Sequence, residues 1–338
     1  MSPAYPSAVV VGATAWGTTL AVHLARNGQP TTLLARNADE GAALRAARSN
    51  ERRLPGVMFP PLLEVTHDPS ALEHAGLIAF VVPSRTLEAN ARAIAHYVPV
   101  GSVVLSAVKG IEVATGRRMS EILRDALPGC PVAVLSGPNL SREVASSLPG
   151  STVVASDDAD LDALRDAFHS SSLRVYTSED VVGVEMGGAL KNVIAIAAGM
   201  VDSLGFGNNA KGAILTRGLA EMTRLGVAVG ADPLTFQGLA GMGDLIATSY
   251  SPLSRNRRLG ELVADGSTLE GALAALGETA EGATTIEAAR ALAAKHGVEM
   301  PITDGLHRIL YEGQAPLHAI QELMSREPRA EHAGLRPT

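Results

Sequence analysis

The residues able to do chemistry fall into two groups: glycine-rich turns that can hold an anion on backbone N–H groups, and cations set in apolar surroundings. Gly12-Ala13-Thr14-Ala15-Trp16-Gly17 follows the β-branched run Val9-Val10-Val11 and opens an apolar helical stretch. It fits the dinucleotide fingerprint G-x-G-x-x-G at the first and third glycines, with Thr14 at the second. That glycine ordinarily lets backbone approach a pyrophosphate, so the Thr14 side chain must point away or displace the phosphates. The plain alternative is a tight turn of small residues. After the next β-branched run, Arg36 stands where NAD enzymes carry an acid for the ribose hydroxyls. An arginine there suits a 2′-phosphate and favours NADP(H) over NAD(H); a solvated arginine would serve no ligand.

Lys109, in Ser106-Ala107-Val108-Lys109-Gly110, lies just past an apolar strand, at the edge where open α/β sheets bind ligands. Ser136-Gly137-Pro138-Asn139-Leu140-Ser141 ends a second strand in the same manner. Lys191 sits in Gly187-Gly188-Ala189-Leu190-Lys191-Asn192-Val193-Ile194, where nearly every neighbour is small or apolar. Desolvation would lower its pKa toward the range useful for proton transfer; otherwise it snorkels to the helix edge. Asp244, at the end of a glycine-rich turn, could charge-balance a lysine or merely cap a helix. Ser254-Arg255-Asn256-Arg257-Arg258 places cations in the first turn of a helix, against its dipole. A bound phosphate would resolve that conflict, and a solvated basic turn would leave it standing.

Other chemistries are not supported. The nine histidines form no ligand pair, so no metal site is expected, and there is no Gly-x-Ser-x-Gly elbow or Walker loop. The single cysteine, Cys130, reads as a spectator thiol. A net charge of −7 and 3% aromatic residues do not fit a nucleic-acid binder. The N-terminal residues do not read as a signal peptide, and no continuous apolar run approaches the ~20 residues of a membrane span, Val193 to Val201 being too short. The expectation is a cytoplasmic protein without membrane insertion.

These residues need a frame to position them. Strands are predicted over Ala8–Val11, Thr31–Ala35, Leu77–Val82, Ser102–Ser106, Val132–Ser136, Thr152–Ala155 and Leu173–Tyr176, alternating with helical stretches. That pattern gives an α/β domain with a Rossmann-type, doubly wound parallel sheet over residues 1–180. Beyond it, Gly183–Asp202, Gly212–Gly226 and Ser254–Ala264 read as helices of an all-α domain over 181–338, and Leu54 to Pro61 reads as a loop.

Together the segments resemble the bacterial NAD(P)-dependent glycerol-3-phosphate dehydrogenase family. The similarity spans Val9 to about Gly313 and rests on the Gly12–Thr18 turn, Lys109-Gly110, Ser136-Gly137-Pro138, Gly188–Val193, Asn209-Ala210-Lys211, Thr216–Met222, Gly243-Asp244 and Ser254–Arg258. It implies reversible reduction of dihydroxyacetone phosphate to sn-glycerol 3-phosphate for phospholipid synthesis, with NADP(H) preferred and NAD(H) possible, no metal, and a homodimer. In that pattern Lys191 is the proton donor and acceptor. Lys109, Gly137, Asn139, Asp244, Ser254, Arg255 and Asn256 join it at the substrate. Gly12, Ala15, Trp16, Gly17, Arg36, Ser141, Thr279 and Glu281, with Lys109 and Arg255, meet the cofactor. Asn139 replaces a small hydroxyl residue and Thr14 a glycine. The rival readings are a two-domain 3-hydroxy acid dehydrogenase, which would not need the Ser254-Arg255-Asn256 anchor, and an NADP(H)-binding redox sensor without turnover.

Overall fold

The computed structural model describes residues 3–277, 280–328 and 330–331. It divides into two units, Met1–Val108 with Met119–Val181, and Lys109–Arg118 with Val182–Thr338.

The first unit is built on an eight-stranded sheet. Among the described residues ten strands occur in chain order: β1 (Ala8–Val11), β2 (Thr31–Leu34), β3 (Ser49–Asn50), β4 (Leu54–Met58), β5 (Leu63–Thr66), β6 (Leu77–Phe80), β7 (Val103–Ser106), β8 (Val132–Ser136), β9 (Gly150–Ser156) and β10 (Leu173–Ser178). The sheet runs β10-β9-β8-β7-β6-β1-β2-β5. The central strands β1, β6, β7 and β8 are buried at every position, as sheet covered on both faces requires. From β1 the chain winds outward through β2 to β5 and then returns to β6 on the other side of β1. The strand order therefore reverses at the carboxyl ends of β1 and β6, where open α/β sheets place their ligands.

Two expectations change. The sheet is not wholly parallel, because β8 and β9 pair antiparallel. The helix between them, Ser141–Ala145, has five residues and rises only about 7 Å, too little to carry the chain back along a strand about 16 Å long. The segment read as a loop holds β4, which pairs antiparallel with β3, and the edge strand β5 follows it. Pro55 and Gly56 give β4 the composition of a turn, and a two-stranded pair can tolerate them.

The second unit packs around the helix Val181–Ser203. By length and composition this helix could cross a membrane, with a hydropathy of 1.5 over its most apolar window, although the uninterrupted apolar run is short. Since 94% of that window is buried inside the fold, it serves here as a core helix. Small residues let its neighbours approach. A Cβ at Gly199 would lie 1.9 Å from the Arg257 carbonyl oxygen, and one at Gly260 would lie 2.0 Å from that of Ile196. Only glycine at both positions lets the helix Arg255–Ala264 cross at this depth. The segment 109–118 joins this unit through buried Ile111, a bridge from Ile111 to Arg118, and an Arg118 Nη1–Glu185 Oε2 ion pair of 3.0 Å.

Candidate active site

In the first unit the fingerprint turn lies at the reversal point of the sheet. Gly12 has φ +110°, and a Cβ there would stand 2.8 Å from the Val81 carbonyl oxygen at the end of β6. A Cβ on Gly17 would stand 2.0 Å from the Gly12 carbonyl oxygen. Both matched glycines are thus imposed by packing. Thr14 resolves its own question: it is the N-cap of the helix Ala15–Arg26, its Oγ1 accepts from the Gly17 N–H at 2.9 Å and donates to the Val81 carbonyl at 3.1 Å. The hydroxyl is turned back into the protein, away from the position a phosphate would take at the helix N-terminus.

Two further side chains brace the turn. Asn50 Nδ2 donates to the Ala13 carbonyl (3.1 Å) and to Thr18 Oγ1 (2.8 Å), and Thr19 Oγ1 donates to the Ser141 carbonyl (3.1 Å), which brings Ser141 beside the fingerprint helix. Ala15 and Trp16 form the first turn of that helix, where backbone N–H groups have no intrahelical acceptor. The Trp16 indole N–H is buried without a partner. A glycine cradle, a helix N-terminus and an orphaned donor together fit a dinucleotide. Arg36 is exposed just past β2, and its backbone N–H donates to Glu40 Oε2 (2.9 Å). Gly137 adopts φ +130° after β8, and Asn139 Nδ2 donates to Thr152 Oγ1 (2.9 Å).

The second unit gathers charged and polar side chains from three separated stretches of sequence. Lys191 Nζ lies 3.0 Å from Asp244 Oδ1 and donates to Thr248 Oγ1 at 2.5 Å. Lys109 Nζ donates to Asp244 Oδ2 at 2.5 Å, and Thr248 Oγ1 donates to Asp244 Oδ1 at 3.1 Å. Asp244 and Thr248 share a face of the helix Asp244–Tyr250 at i and i+4, and a π turn, Leu239–Gly243, leads into it. Asp244 therefore neutralises lysines instead of capping its helix. Lys109, expected at the sheet edge, belongs with the segment 109–118 in the helical unit.

The electrostatics follow from burial. Lys191 keeps 6% exposure, and desolvation brings its pKa down to about 8; Asp244 opposes that fall, while the charges of Lys109 and Arg255 add to it. Burial alone would raise the Asp244 carboxyl, but the two ammonium groups outweigh it and hold the pKa below the usual carboxylate value. A buried ammonium that titrates near 8 can give or take a proton under mild conditions. It makes three N–H donors available, of which Asp244 and Thr248 take two.

The basic turn is explained in part by carboxylates. Ser254 caps the helix Arg255–Ala264 by accepting from the Arg257 N–H (3.3 Å), and Arg257 pairs with Asp202 (2.9 Å) and Glu261 (2.8 Å). Arg255 is exposed in the first turn. Asn256 is buried, its Nδ2 donating to Asn192 Oδ1 (2.8 Å) and its Oδ1 accepting from the Gly282 N–H (3.0 Å). Glu281 opens the helix Glu281–His296, and Thr279 lies outside the described residues. Among the described residues, no group of His, Cys, Asp or Glu could hold a metal ion.

Sequence reasoning missed Thr248, Asn50, Asp202 and Glu40. An Asp-x-x-x-Thr spacing on a helix was the available signal for Thr248, and an Asn-x-x-Glu capping pattern was the signal for Glu40.

The model of the NAD-dependent glycerol-3-phosphate dehydrogenase N-terminus matches residues 7–162, and that of the C-terminus matches residues 180–321. The chain belongs to the NAD-dependent glycerol-3-phosphate dehydrogenase family. The NAD(P)+ glycerol-3-phosphate dehydrogenase of Streptomyces griseus is 46% identical over 328 residues, covering 96% of this chain and 98% of that protein. The crystal structure of glycerol-3-phosphate dehydrogenase from Coxiella burnetii superposes with a TM-score of 0.91 at 38% identity, covering 96% of this chain and 100% of that one. A ketopantoate reductase from Ralstonia eutropha, at 19% identity and a TM-score of 0.59 over 94% of this chain and 99% of that one, shares the fold.

Proposed function

We propose that the protein catalyses the reversible, NAD(P)H-dependent reduction of dihydroxyacetone phosphate to sn-glycerol 3-phosphate and so supplies glycerophospholipid synthesis. The observation that carries this reading is the buried Lys191 ammonium held by Asp244 and Thr248. A nicotinamide cofactor, when bound, would supply the hydride for the ketone carbon. Lys191 gives a proton to the alkoxide that develops there, and the same amine takes it back in the oxidation. Asp244 keeps the ammonium charged and, with Thr248, fixes its direction, while Lys109 adds positive charge that favours an oxyanion. Arg255, Ser254 and Asn256 are assigned to the substrate phosphate, with Gly137 and Asn139 beside the substrate. Binding energy from that phosphate, remote from the reacting carbon, would orient the ketone.

For the cofactor, Gly12, Ala15, Trp16, Gly17 and Ser141 surround the turn assigned to the pyrophosphate, and Arg36 is assigned to a 2′-phosphate, which favours NADP(H). Glu281 and Thr279 remain assigned to it by resemblance. The reading also includes a cytoplasmic homodimer. Met242, Ile246, Tyr250 and Leu253 leave apolar surface exposed along the helix Asp244–Tyr250 and just beyond it, which a second copy could cover.

Consumption of NADPH absorbance on adding dihydroxyacetone phosphate tests the function. Turnover with that substrate and none with an unphosphorylated hydroxy or keto acid is the expected result. The reverse preference would assign the chain to the hydroxy acid dehydrogenases, and cofactor binding without turnover would make it a sensor.

A further inference from the structure

The end of β2 carries a carboxylate as well as an arginine. Glu40 is the third residue of the helix Ala38–Ala47, and its carboxylate folds back so that Oε2 accepts the Arg36 backbone N–H at 2.9 Å. Its own N–H donates to Oδ1 of the N-cap Asn37 at 2.9 Å, which closes the turn from both sides. The Gly12 N–H donates to the Leu34 carbonyl at 3.1 Å, so this turn lies beside the fingerprint, where Rossmann units receive the adenosine ribose. An NAD enzyme puts its acid on the strand end itself. Here Arg36 holds that position, and the acid arrives from the following helix.

We propose that Glu40 is a specificity-determining residue that sets the ratio in which this enzyme uses NADP(H) and NAD(H). The inference rests on the proposed reading that this turn receives the cofactor's adenosine ribose. The Glu40 carboxylate, fixed on the backbone of Arg36, opposes the negative charge of a 2′-phosphate. Its second oxygen offers an acceptor to a free 2′-hydroxyl. Arg36 and Glu40 thus pull the choice in opposite directions from one turn, and the chain retains use of both cofactors.

Glu40→Gln keeps the size and an oxygen that accepts the Arg36 N–H while removing the charge. Trp16, the only tryptophan in the chain, sits in the fingerprint, so quenching of its fluorescence would follow cofactor binding independently of turnover. In E40Q, the Kd for NADPH is expected to fall about three- to tenfold at low ionic strength, with NADH unchanged or weaker, and the difference to shrink as salt screens the charge. The NADPH/NADH ratio of kcat/KM should move in the same direction. If Glu40 is only a strut, E40Q matches the parent for both cofactors while Glu40→Ala weakens both alike, and that result overturns the proposal. Arg36→Ala separates the underlying reading: it should weaken NADPH and spare NADH. If R36A leaves NADPH binding unchanged while E40Q still shifts the ratio, the 2′-phosphate assignment falls and the role of Glu40 stands.

Discussion

The fingerprint turn and the lysine cluster prepare for charged ligands in opposite ways. The turn is made almost wholly of backbone: two glycines forced by packing, a helix N-terminus, and side chains such as Thr14 and Asn50 whose hydrogen bonds go to the protein itself. It carries no net charge, so its cost lies in conformation. The cluster consists of side chains from residues 109, 191, 244 and 248, with two ammonium groups and one carboxylate withdrawn from water. Its cost lies in desolvation, which is offset only while the partners remain together. Damage to the turn should therefore affect binding and folding, and damage to the cluster should affect turnover and its pH dependence.

The largest expected effect is on the cluster. Lys191→Met removes the proposed proton donor but keeps an apolar stem of similar length in an apolar helix. Turnover should drop about a thousandfold, within the range general acids contribute, with NADPH quenching of Trp16 unchanged. A variant that keeps more than a tenth of parental turnover would remove Lys191 from the reaction.

Next comes the pH profile. With a pKa of about 8, Lys191 is charged below that value and neutral above it. In the proposed mechanism reduction needs the ammonium, so its rate should fall as pH rises through about 8, and oxidation, which would need the free amine, should rise there. Asp244 stabilises the charged form, hence Asp244→Asn should move both transitions to lower pH by about a unit or more and lower turnover at neutral pH. Transitions that stay in place would show that another group titrates.

The same contrast governs what could be read from sequence. Backbone devices leave a local signature: Gly12, Gly17 and the β-branched run before them lie within ten residues, and the alternation of strands and helices around them gives the sheet apart from its edge strand β5 and the antiparallel pairing of β8 with β9. The strands β3, β4 and β5 were lost because proline and glycine in β4 mimic a loop and because an edge strand lacks the fully apolar run of a buried one. Side-chain clusters leave no local signature. Lys191 stood out through its apolar neighbours, but nothing near it in sequence announces Asp244 or Thr248. Lys109 reads as a residue just past a strand, at the edge where sheets bind ligands, and nothing local shows that residues 109–118 belong to the second unit. Thr248 is one threonine among many until a helix turn puts it beside Asp244.

On the side of the turn, Gly17→Ala would bring a methyl group to 2.0 Å from the Gly12 carbonyl oxygen, where neither backbone nor side chain can yield cheaply. A loss of about 1–3 kcal/mol of stability is expected, read as a lowered melting temperature, together with loss of NADPH quenching at concentrations that saturate the parent. Normal quenching in a folded variant would show that the turn is more pliable than its packing implies.

The smallest effect is expected at Thr14, where the chain departs from the family fingerprint. If the threonine intruded on the pyrophosphate, Thr14→Gly would restore the fingerprint and tighten cofactor binding sharply. The geometry argues otherwise, since its hydroxyl is occupied by the Gly17 N–H and the Val81 carbonyl. Glycine retains reasonable capping ability, so Thr14→Gly should cost a few tenths of a kcal/mol, and Thr14→Ala about 1 kcal/mol through loss of the cap. NADPH affinity should change less than about threefold in either variant, because the proposed phosphate contacts use backbone N–H groups while the hydroxyl is engaged within the protein. Tenfold tighter binding in Thr14→Gly would mean that a side chain does stand in the way, and the turn would then share the cluster's dependence on side-chain placement.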